Sequence, residues 1–302
     1  MPRTANRPKV AAPLALATCV LLEFTSVATL SGITPNQQRA KAGQLVWAPP
    51  NVDAPLPSVA LNPPCDLSEV LEHVGERAKE LVDNLQNFTA RETVQFEELD
   101  NFGTPDDYET GRFEYAVNFD ENRGNLAVQE TRAPASKTES LSHGVTDTGI
   151  AAFAVLFHPY YQGDYDMRCE GLDARGGQPA WVVHFQQKKG KRGRTLSFRT
   201  SNSTYTAKLK GRAWISADSY EILHIDTNLV EAVPILNLKG DAVSVDYEAV
   251  EFSSRNISLW LPRTAITYMD YDKQRYIFQH TFTNSLVGSV QTEQVIGAPP
   301  KP

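Results

Sequence analysis

The densest group of side chains able to do chemistry lies between Phe157 and Cys169. Imidazole and carboxylate groups at His158, Asp164 and Asp166 are of types that bind divalent metals. Gly163 and the tyrosines around it are instead typical of a turn that leads from a loop into a strand. We therefore predict a turn here and no metal site, with a metal or acid–base site as the less favoured alternative.

Sequence motifs for catalysis or cofactor binding are missing. The chain has no G-x-G-x-x-G, P-loop, G-x-S-x-G or H-E-x-x-H pattern, and its six histidines share no metal-ligand spacing. A hydrolytic site that pairs His158 or His184 with a distant serine stays open, since a sequence does not show which side chains meet in space. We predict that the protein is not an enzyme, with no catalytic residue and no cofactor.

One run of cations surrounds two glycines. It consists of Lys188, Lys189, Lys191, Arg192 and Arg194. Basic hairpin tips commonly keep a sheet edge soluble, and we favour that interpretation. The alternative is a contact patch for an anionic membrane surface or an acidic envelope protein, where each charge near such a membrane contributes ~1 kcal/mol. The chain carries 29 Lys and Arg against 36 Asp and Glu, a net charge of -7, which argues against a nucleic-acid partner.

Large aromatic residues fall on predicted strands. Most such residues belong to a core, but some line ligand cavities. The candidates for lining an apolar cavity are Trp181, Phe185, Trp214 and Trp260.

The three cysteines are informative in an exported chain. Cys19 lies in the N-terminal apolar run, so removal of a leader would leave Cys65 and Cys169. Two cysteines in an oxidising compartment are expected to form a disulfide, and the alternative is that both are buried free thiols. This disulfide would join the start of the first helix to the middle of the sheet.

Two helices are predicted to position these residues. The stretch from Asp66 to Leu85 has apolar residues at helical spacing, with Asp66 or Ser68 able to cap its start and Glu69 placed to reach back to Asp66. A second helix is predicted at Thr148–Phe157. It is apolar all round and is therefore expected to be buried.

After Asn87 the apolar period changes to two, which predicts strands. About a dozen short strands follow, joined by turns of hairpin length, which indicates an antiparallel meander. We predict an α+β, mainly β fold: a long curved antiparallel sheet, or open half-barrel, with the N-terminal amphipathic helix and the second buried helix covering its concave face. A sheet of this length must close, split or have that face covered.

The N-terminal segment predicts export. Arg3, Arg7 and Lys9 precede the apolar run from Val10 to Leu22, and small residues follow at 26–28. This is the order of a cleaved secretory signal peptide, which we favour over an uncleaved signal anchor or a disordered tail. Leu16-Ala-Thr-Cys19 is similar to a bacterial lipobox, so a lipid-anchored form is a further alternative. We expect a periplasmic protein.

The predicted domain limits follow from these features. Residues 1–30 are the signal peptide or signal anchor, and 31–64 are a disordered linker with seven prolines. Residues 65–295 form a single half-barrel domain, and 296–302 are a disordered tail.

Two stretches carry a family resemblance. The hairpin from Lys210 to Asp226, with Ala213-Trp-Ile215 before its turn, resembles one in the outer-membrane lipoprotein-sorting family. The helix-to-strand passage Leu81–Ala90 is similar to the start of that family. The resemblance implies a periplasmic half-barrel whose helices close the mouth of a hydrophobic cavity, and it assigns no individual binding residue. The chain otherwise resembles uncharacterised exported bacterial proteins.

From the sequence we predict a periplasmic, non-catalytic binding protein with an apolar cavity for lipid or acylated ligands. The alternative is an envelope protein-interaction or regulatory module without a bound ligand, which would use sheet edges and the basic run at 188–194.

Overall fold

The computed structural model describes residues 45–56, 58–60, 63–85, 87–100, 102–122, 125–136, 141, 150, 152–191, 197–199, 204–253 and 255–287. The helices are α1 (Leu67–Asn84), α2 (Ala152–Val155) and α3 (Pro159–Gln162). The strands are β1 (Asn87–Leu99), β2 (Pro105–Asn122), β3 (Asn125–Pro134), β4 (Tyr165–Arg175), β5 (Gln178–Gln187), β6 (Ser197–Arg199), β7 (Thr204–Thr206), β8 (Leu209–Ser216), β9 (Ile222–Leu229), β10 (Leu238–Phe252), β11 (Ile257–Tyr271) and β12 (Gln274–Val287).

Ten of these strands form one antiparallel sheet. Their order is β3-β2-β1-β12-β11-β10-β9-β8-β5-β4, so β3 and β4 are its two edges and the sheet does not close. β6 and β7 pair separately as a short hairpin between β5 and β8. The predicted mainly β class with an open antiparallel sheet is confirmed.

The sheet curls strongly. Ten strands laid flat would separate the edges by roughly 43 Å at the normal strand spacing. However, the hydroxyl of Tyr161 in α3 donates to the carbonyl of Leu126 in β3, and β4 begins at Tyr165, only four residues after Tyr161. The two edges therefore lie against the same short helix, which spans the open mouth of the half-barrel.

Helix α1 forms where the sequence predicts it. Asp66 accepts hydrogen bonds from the amides of Ser68 and Glu69 at 3.0 and 3.2 Å, which satisfies two donors of the first turn. The side chain of Glu69 does not reach back to Asp66 as a capping box would; it accepts a hydrogen bond from Tyr220 instead. The apolar side of α1 packs on one face of the sheet, which we call the core face.

The second helix differs from its prediction. Instead of one helix over Thr148–Phe157, two four-residue helices occur, α2 and α3, and residues 148, 149 and 151 lie outside the described residues. His158 is extended, with φ -61° and ψ 138°, because the ring of Pro159 disfavours a helical residue before it. Phe153, Val155 and Leu156 are buried as expected.

The other face of the sheet is covered by residues 45–56 and 58–60, which we call the strap. The amide of Leu45 bonds to Glu97 of β1, Trp47 meets Tyr268 of β11 edge-on, and the amide of Ala60 bonds to Leu172 of β4. The strap thus crosses from β1 to the β4 edge. This part of the predicted linker is therefore ordered on the sheet, although residues 31–44 lie outside the described range. The proline-rich composition limits the entropy lost on ordering.

A disulfide joins Cys65 and Cys169, as the cysteine count predicts, with a Cα–Cα distance of 6.3 Å. Cys65 lies between the strap and α1, and Cys169 lies on the edge strand β4. The chain passes around this edge from one face of the sheet to the other, and the disulfide fixes the crossing point.

Removing the disulfide is expected to destabilise the fold strongly. Because it closes a loop with a sequence separation of 104, the double variant Cys65→Ser/Cys169→Ser should lose about 4 kcal/mol of unfolding free energy. Urea denaturation followed by tryptophan fluorescence measures this, with Cys19→Ser as the control. Before reduction, the Cys19→Ser protein should contain no free thiol, and its gel mobility should change when it is reduced. Two free thiols and an unchanged mobility would contradict the disulfide.

Candidate binding site beneath the first helix

The apolar side of α1 lies over the core face and meets the loop between α2 and α3. Val70, Val74 and Val82 of α1 are at most 3% exposed. Gln162 donates from its amide nitrogen to the carbonyls of Leu71 and Phe157, both at 2.7 Å, which ties α1 to the α2–α3 segment. The helices therefore form one cover over the apolar face.

A small pocket lies at the seam between α1 and strands β9 to β11. Its volume is about 20 Å³, room for one water molecule. The lining residues are Arg77, Ala78, Glu80, Leu81, Ala154, Glu221, Ile222, Tyr247, Leu259 and Trp260. A space this small holds no lipid, so at this seam the cover is closed.

Polar contacts join α1 to two turns of the sheet, mainly to the β8–β9 turn and also, through Arg255 and the carbonyl of Asn84 at 3.3 Å, to the β10–β11 turn. The guanidinium of Arg77 donates to the carbonyl of Ser219 at 3.1 Å, and the hydroxyl of Tyr220 donates to Glu69 at 3.0 Å. Arg77 also pairs with Glu221 at 3.7 Å. We call Glu69, Arg77, Tyr220 and Glu221 the latch.

The backbone of Tyr220 is left-handed, with φ 58°. A non-glycine residue held in this region costs about 1 kcal/mol or more, and such strain persists only where surrounding contacts enforce it. The hydrogen bonds from the amide of Tyr220 to Ser216 and from the amide of Ser216 to Glu221 hold the turn in this geometry.

Glu221 is the titratable group of the latch with a strongly shifted pKa. Burial raises the pKa of its carboxyl to about 7, with the Glu80 carboxylate adding to the rise and Arg77 opposing it. This group is therefore partly protonated near neutral pH.

A buried ionic cluster lies on the core face at β1, β3 and β12. Arg132 holds Glu92 with two hydrogen bonds, Nε to Oε2 at 2.6 Å and Nη2 to Oε1 at 3.0 Å, and His280 Nδ1 lies 2.8 Å from Oε1. Burial alone would raise the pKa of Glu92, but the His280 hydrogen bond and the Arg132 charge lower it below its usual value. Glu92 is thus a compensated carboxylate, unsuited to accept a proton from a substrate.

The four aromatic cavity candidates separate in the structure. Trp260 lines the seam pocket. Phe185 is fully buried and packs edge-on against Phe157 in the main core, and half-buried Trp181 packs against the same core. Trp214 belongs to a second apolar cluster beneath the strap, where its indole nitrogen donates to Asp173.

His158, Asp164 and Asp166 do not converge on a site. His158 Nδ1 accepts from the amide of Tyr160 at 3.1 Å and so caps α3. Asp164 pairs with Lys191 at 2.8 Å, and Asp166 lies 4.0 Å from Lys188. Across the described part of the chain, no group of three or more His, Cys, Asp or Glu side chains could hold a metal ion.

The predicted basic patch is partly neutralised by these contacts. Lys188 and Lys191 each have an aspartate partner, and Lys188 also donates to the carbonyl of Gly163. Lys189 is exposed, and Arg192 and Arg194 lie outside the described residues. In the described part, the run ties the end of β5 to the α3–β4 turn.

Sequence reasoning missed His224, which stands buried on the strap face between two carboxylates. Its Nδ1 lies 2.7 Å from Asp246 and its Nε2 2.9 Å from Asp226, with Ser244 Oγ 3.4 Å from Nε2. Burial would lower the pKa of His224, but hydrogen bonds to both aspartates raise it. The Arg175 guanidinium lies 2.7 Å from the same Nδ1 and also pairs with Asp246, so His224 belongs to a charged network on this face. The alternation in His224-Ile-Asp226 was the available signal.

The latch was also missed. Arg77 and Glu221 are ordinary charged residues in the sequence, and their pairing requires α1 to lie beside the β8–β9 turn. His184 behaves similarly: it is buried beneath the strap 3.4 Å from Asp53, and burial lowers its pKa.

No family model and no curated protein matches the chain. It is similar to a domain named for outer membrane lipoprotein sorting from Vibrio parahaemolyticus, at TM-score 0.42 and 11% identity, over 76% of this chain and 96% of that one. It is also similar to a DUF1329 family protein from Desulfovibrio piger, at TM-score 0.40 and 11% identity, over 73% and 92% of the two chains.

A LolA superfamily protein from Nitrosomonas europaea is similar at TM-score 0.37 and 11% identity, over 73% of this chain and 94% of that one. The family that the sequence resembles is thus represented among the structures similar to this chain. Likeness at this level does not extend to a ligand or a binding residue. Within the described residues, no helix has both the length and the apolar character needed to cross a bilayer.

The raised pKa of Glu221 predicts a pH-dependent stability. In the folded protein the pKa of Glu221 is about 7, above the ordinary value of 4.5. The free energy of unfolding that Glu221 contributes is therefore fully present below pH 4.5 and is lost as the pH rises through 7. The wild type should lose up to about 3 kcal/mol more than Glu221→Gln between pH 4.5 and 7.5.

Urea denaturation at the two pH values measures this difference. Glu72→Gln, an exposed carboxylate on the same helix, is the matched control and should keep the wild-type pH dependence. The same change in stability for Glu221→Gln and wild type would contradict the assignment.

Proposed function

We propose that this protein is an exported, periplasmic, non-catalytic binding protein that holds a lipid or acylated ligand between α1 and the core face. The observation that carries the proposal is the way α1 is attached. It covers the apolar face of a sheet that does not close, and its polar contacts to that sheet centre on the β8–β9 turn. The leader-like segment at residues 3–28 supports export.

If α1 moves away from the core face, another apolar surface must take its place, because exposing the buried side chains of α1 to water is costly. Exposing Val70, Val74, Leu81 and Val82 to water would cost on the order of 10 kcal/mol, at about 1.5–3 kcal/mol for each buried aliphatic side chain. An open, empty cavity is therefore not a stable state of this protein. A ligand with long hydrocarbon chains can cover the same surface and offset that cost.

The buried charges support binding in preference to catalysis. Glu92 is neutralised by Arg132 and His280, and His224 is held between Asp226 and Asp246. A general base needs a lone pair that is aimed at the substrate. The oxygens of Glu92 instead bond to Arg132 and His280, and the ring of His224 lies against the two aspartates.

Native mass spectrometry of the protein purified from its envelope fraction tests the proposal. We expect added masses in the range of acylated lipids, which organic extraction removes and lipid analysis identifies. A single mass equal to the polypeptide, together with no uptake from vesicles of phosphatidylethanolamine and phosphatidylglycerol, would overturn it.

Weakening the latch should speed ligand exchange without a large loss of stability. In Arg77→Ala/Tyr220→Phe, the contacts to Ser219, Glu221 and Glu69 are lost, so α1 opens more often. We expect at least a severalfold faster rise in fluorescence when an environment-sensitive acyl dye is mixed with the protein.

Lys79→Ala is the matched control, because Lys79 pairs with Asp83 on the exposed side of the same helix. Equal dye uptake rates in wild type, control and latch variant would argue against α1 as the moving cover.

A further inference from the structure

A groove lies between the strap and the face of the sheet that the strap covers. Its volume is about 480 Å³, within the range of roughly 300–1,000 Å³ that small-molecule sites occupy. We call it the strap groove, and its lining includes Trp47, Asn228, Glu231, Lys239, Tyr268 and Asp270. It is much larger than the seam pocket beneath α1 and lies on the opposite face of the sheet, so it is separate from the proposed lipid site.

The walls of the strap groove are held in place. The side chain of Asn228 on β9 accepts a hydrogen bond from the amide of Val52 at 3.1 Å and donates one to the carbonyl of Pro50 at 3.0 Å. The indole of Trp47 meets the ring of Tyr268 edge-on, with the ring centroids 5.6 Å apart. Because the strap is joined to the strands at both places, a ligand that enters the groove pays little for ordering it.

Polar groups of both charges line the groove. Lys239 lies 4.0 Å from Asp270, which is too long for a hydrogen bond, so this ion pair leaves donors and acceptors available. Glu231 is exposed and adds a second carboxylate, and Lys210 pairs with Asp53. An ammonium has three donors and a carboxylate about four acceptor sites, so such groups can bond to several hydroxyls of one ligand.

This lining favours one class of ligand over the others. An acyl chain would desolvate the charged groups without replacing their hydrogen bonds, which is costly. A simple ion gains little from neighbouring charges of opposite sign, because their attractions and repulsions offset each other. A sugar ring offers hydroxyls to the polar groups and a face of C–H groups to an aromatic wall such as Trp47.

We infer that the strap groove binds a neutral saccharide, whose hydroxyls bond to Glu231, Lys239 and Asp270 while its C–H groups pack against Trp47. The inference is independent of the proposed function, since the lipid site lies on the core face and the strap groove on the other face.

Isothermal titration calorimetry with four neutral disaccharides tests the inference. The probes are maltose, cellobiose, lactose and N,N′-diacetylchitobiose, and the blocked peptide acetyl-tetraalanine amide is titrated alongside them. Wild type should bind at least one of the disaccharides with a Kd on the order of 1 mM or below. Trp47→Ala should weaken that binding about tenfold through the lost aromatic contact, and Lys239→Met about fivefold through the lost hydrogen bonds.

Two comparisons separate a binding effect from other effects. Phe102→Ala is the matched aromatic control, because Phe102 is 91% exposed at the β1–β2 turn and does not line the groove. It should keep the wild-type affinity. Trp47→Ala also removes a strap contact, whereas Lys239 lies on β10 and is exposed, so Lys239→Met should unfold in urea as wild type does.

Three results would overturn the inference. They are no binding of any of the four disaccharides by wild type, the same affinity in wild type, Trp47→Ala and Lys239→Met, and binding of the peptide without binding of a disaccharide. Each would leave the proposed lipid site unaffected, because uptake of an acyl dye beneath α1 is measured separately.

Discussion

An antiparallel sheet of ten strands that curls without closing leaves two faces and two edges to be covered, and among the described residues the helices and the strap do this. The core face lies under α1, α2 and α3, and the other face lies under the strap. The α3 helix spans the gap between the edges, and the strap pairs with the β4 edge through Ala60 and Leu172. The strap and the helical cover are joined at one point, the Cys65–Cys169 disulfide.

The two covers differ in the forces that hold them. Beneath the strap, Lys210 pairs with Asp53, and Arg212 binds both Glu170 and the carbonyl of Ala54. Charged hydrogen bonds of this kind are short and directional, so they fix the strap in one place. Helix α1 depends more on apolar contact, which has no direction and which a hydrocarbon ligand reproduces. The strap therefore braces the sheet from the face opposite α1.

The sequence predicts elements better than it predicts contacts between them. Periodicity and the Asp66 cap locate α1 to within a residue, and the cysteine count identifies the disulfide, because these signals are local or follow from few choices. The ordered strap was not predicted, since its order comes from partners such as Glu97 and Asn228 that lie far along the chain. Trp214 faces the strap and Phe185 faces the core. The alternation of apolar residues along a strand does not predict this difference, because both faces of this sheet are apolar and neither strand has a polar, solvent-facing side to mark the outside.

The pairing of the first and last strands of the sheet has a consequence for how the chain reaches its folded state. β1 lies between β2 and β12, with Phe88 opposite Val287, so an interior strand pair of the sheet joins residues from both ends of the domain. Such contacts have high contact order and form slowly, and none can form before the last strand has been synthesised. Until then the sheet is incomplete, and the strap can contact only the strands already made, such as β4 through Leu172 and β8 through Lys210. For a chain that is exported, as we propose, this topology delays the folded state until the whole chain is available.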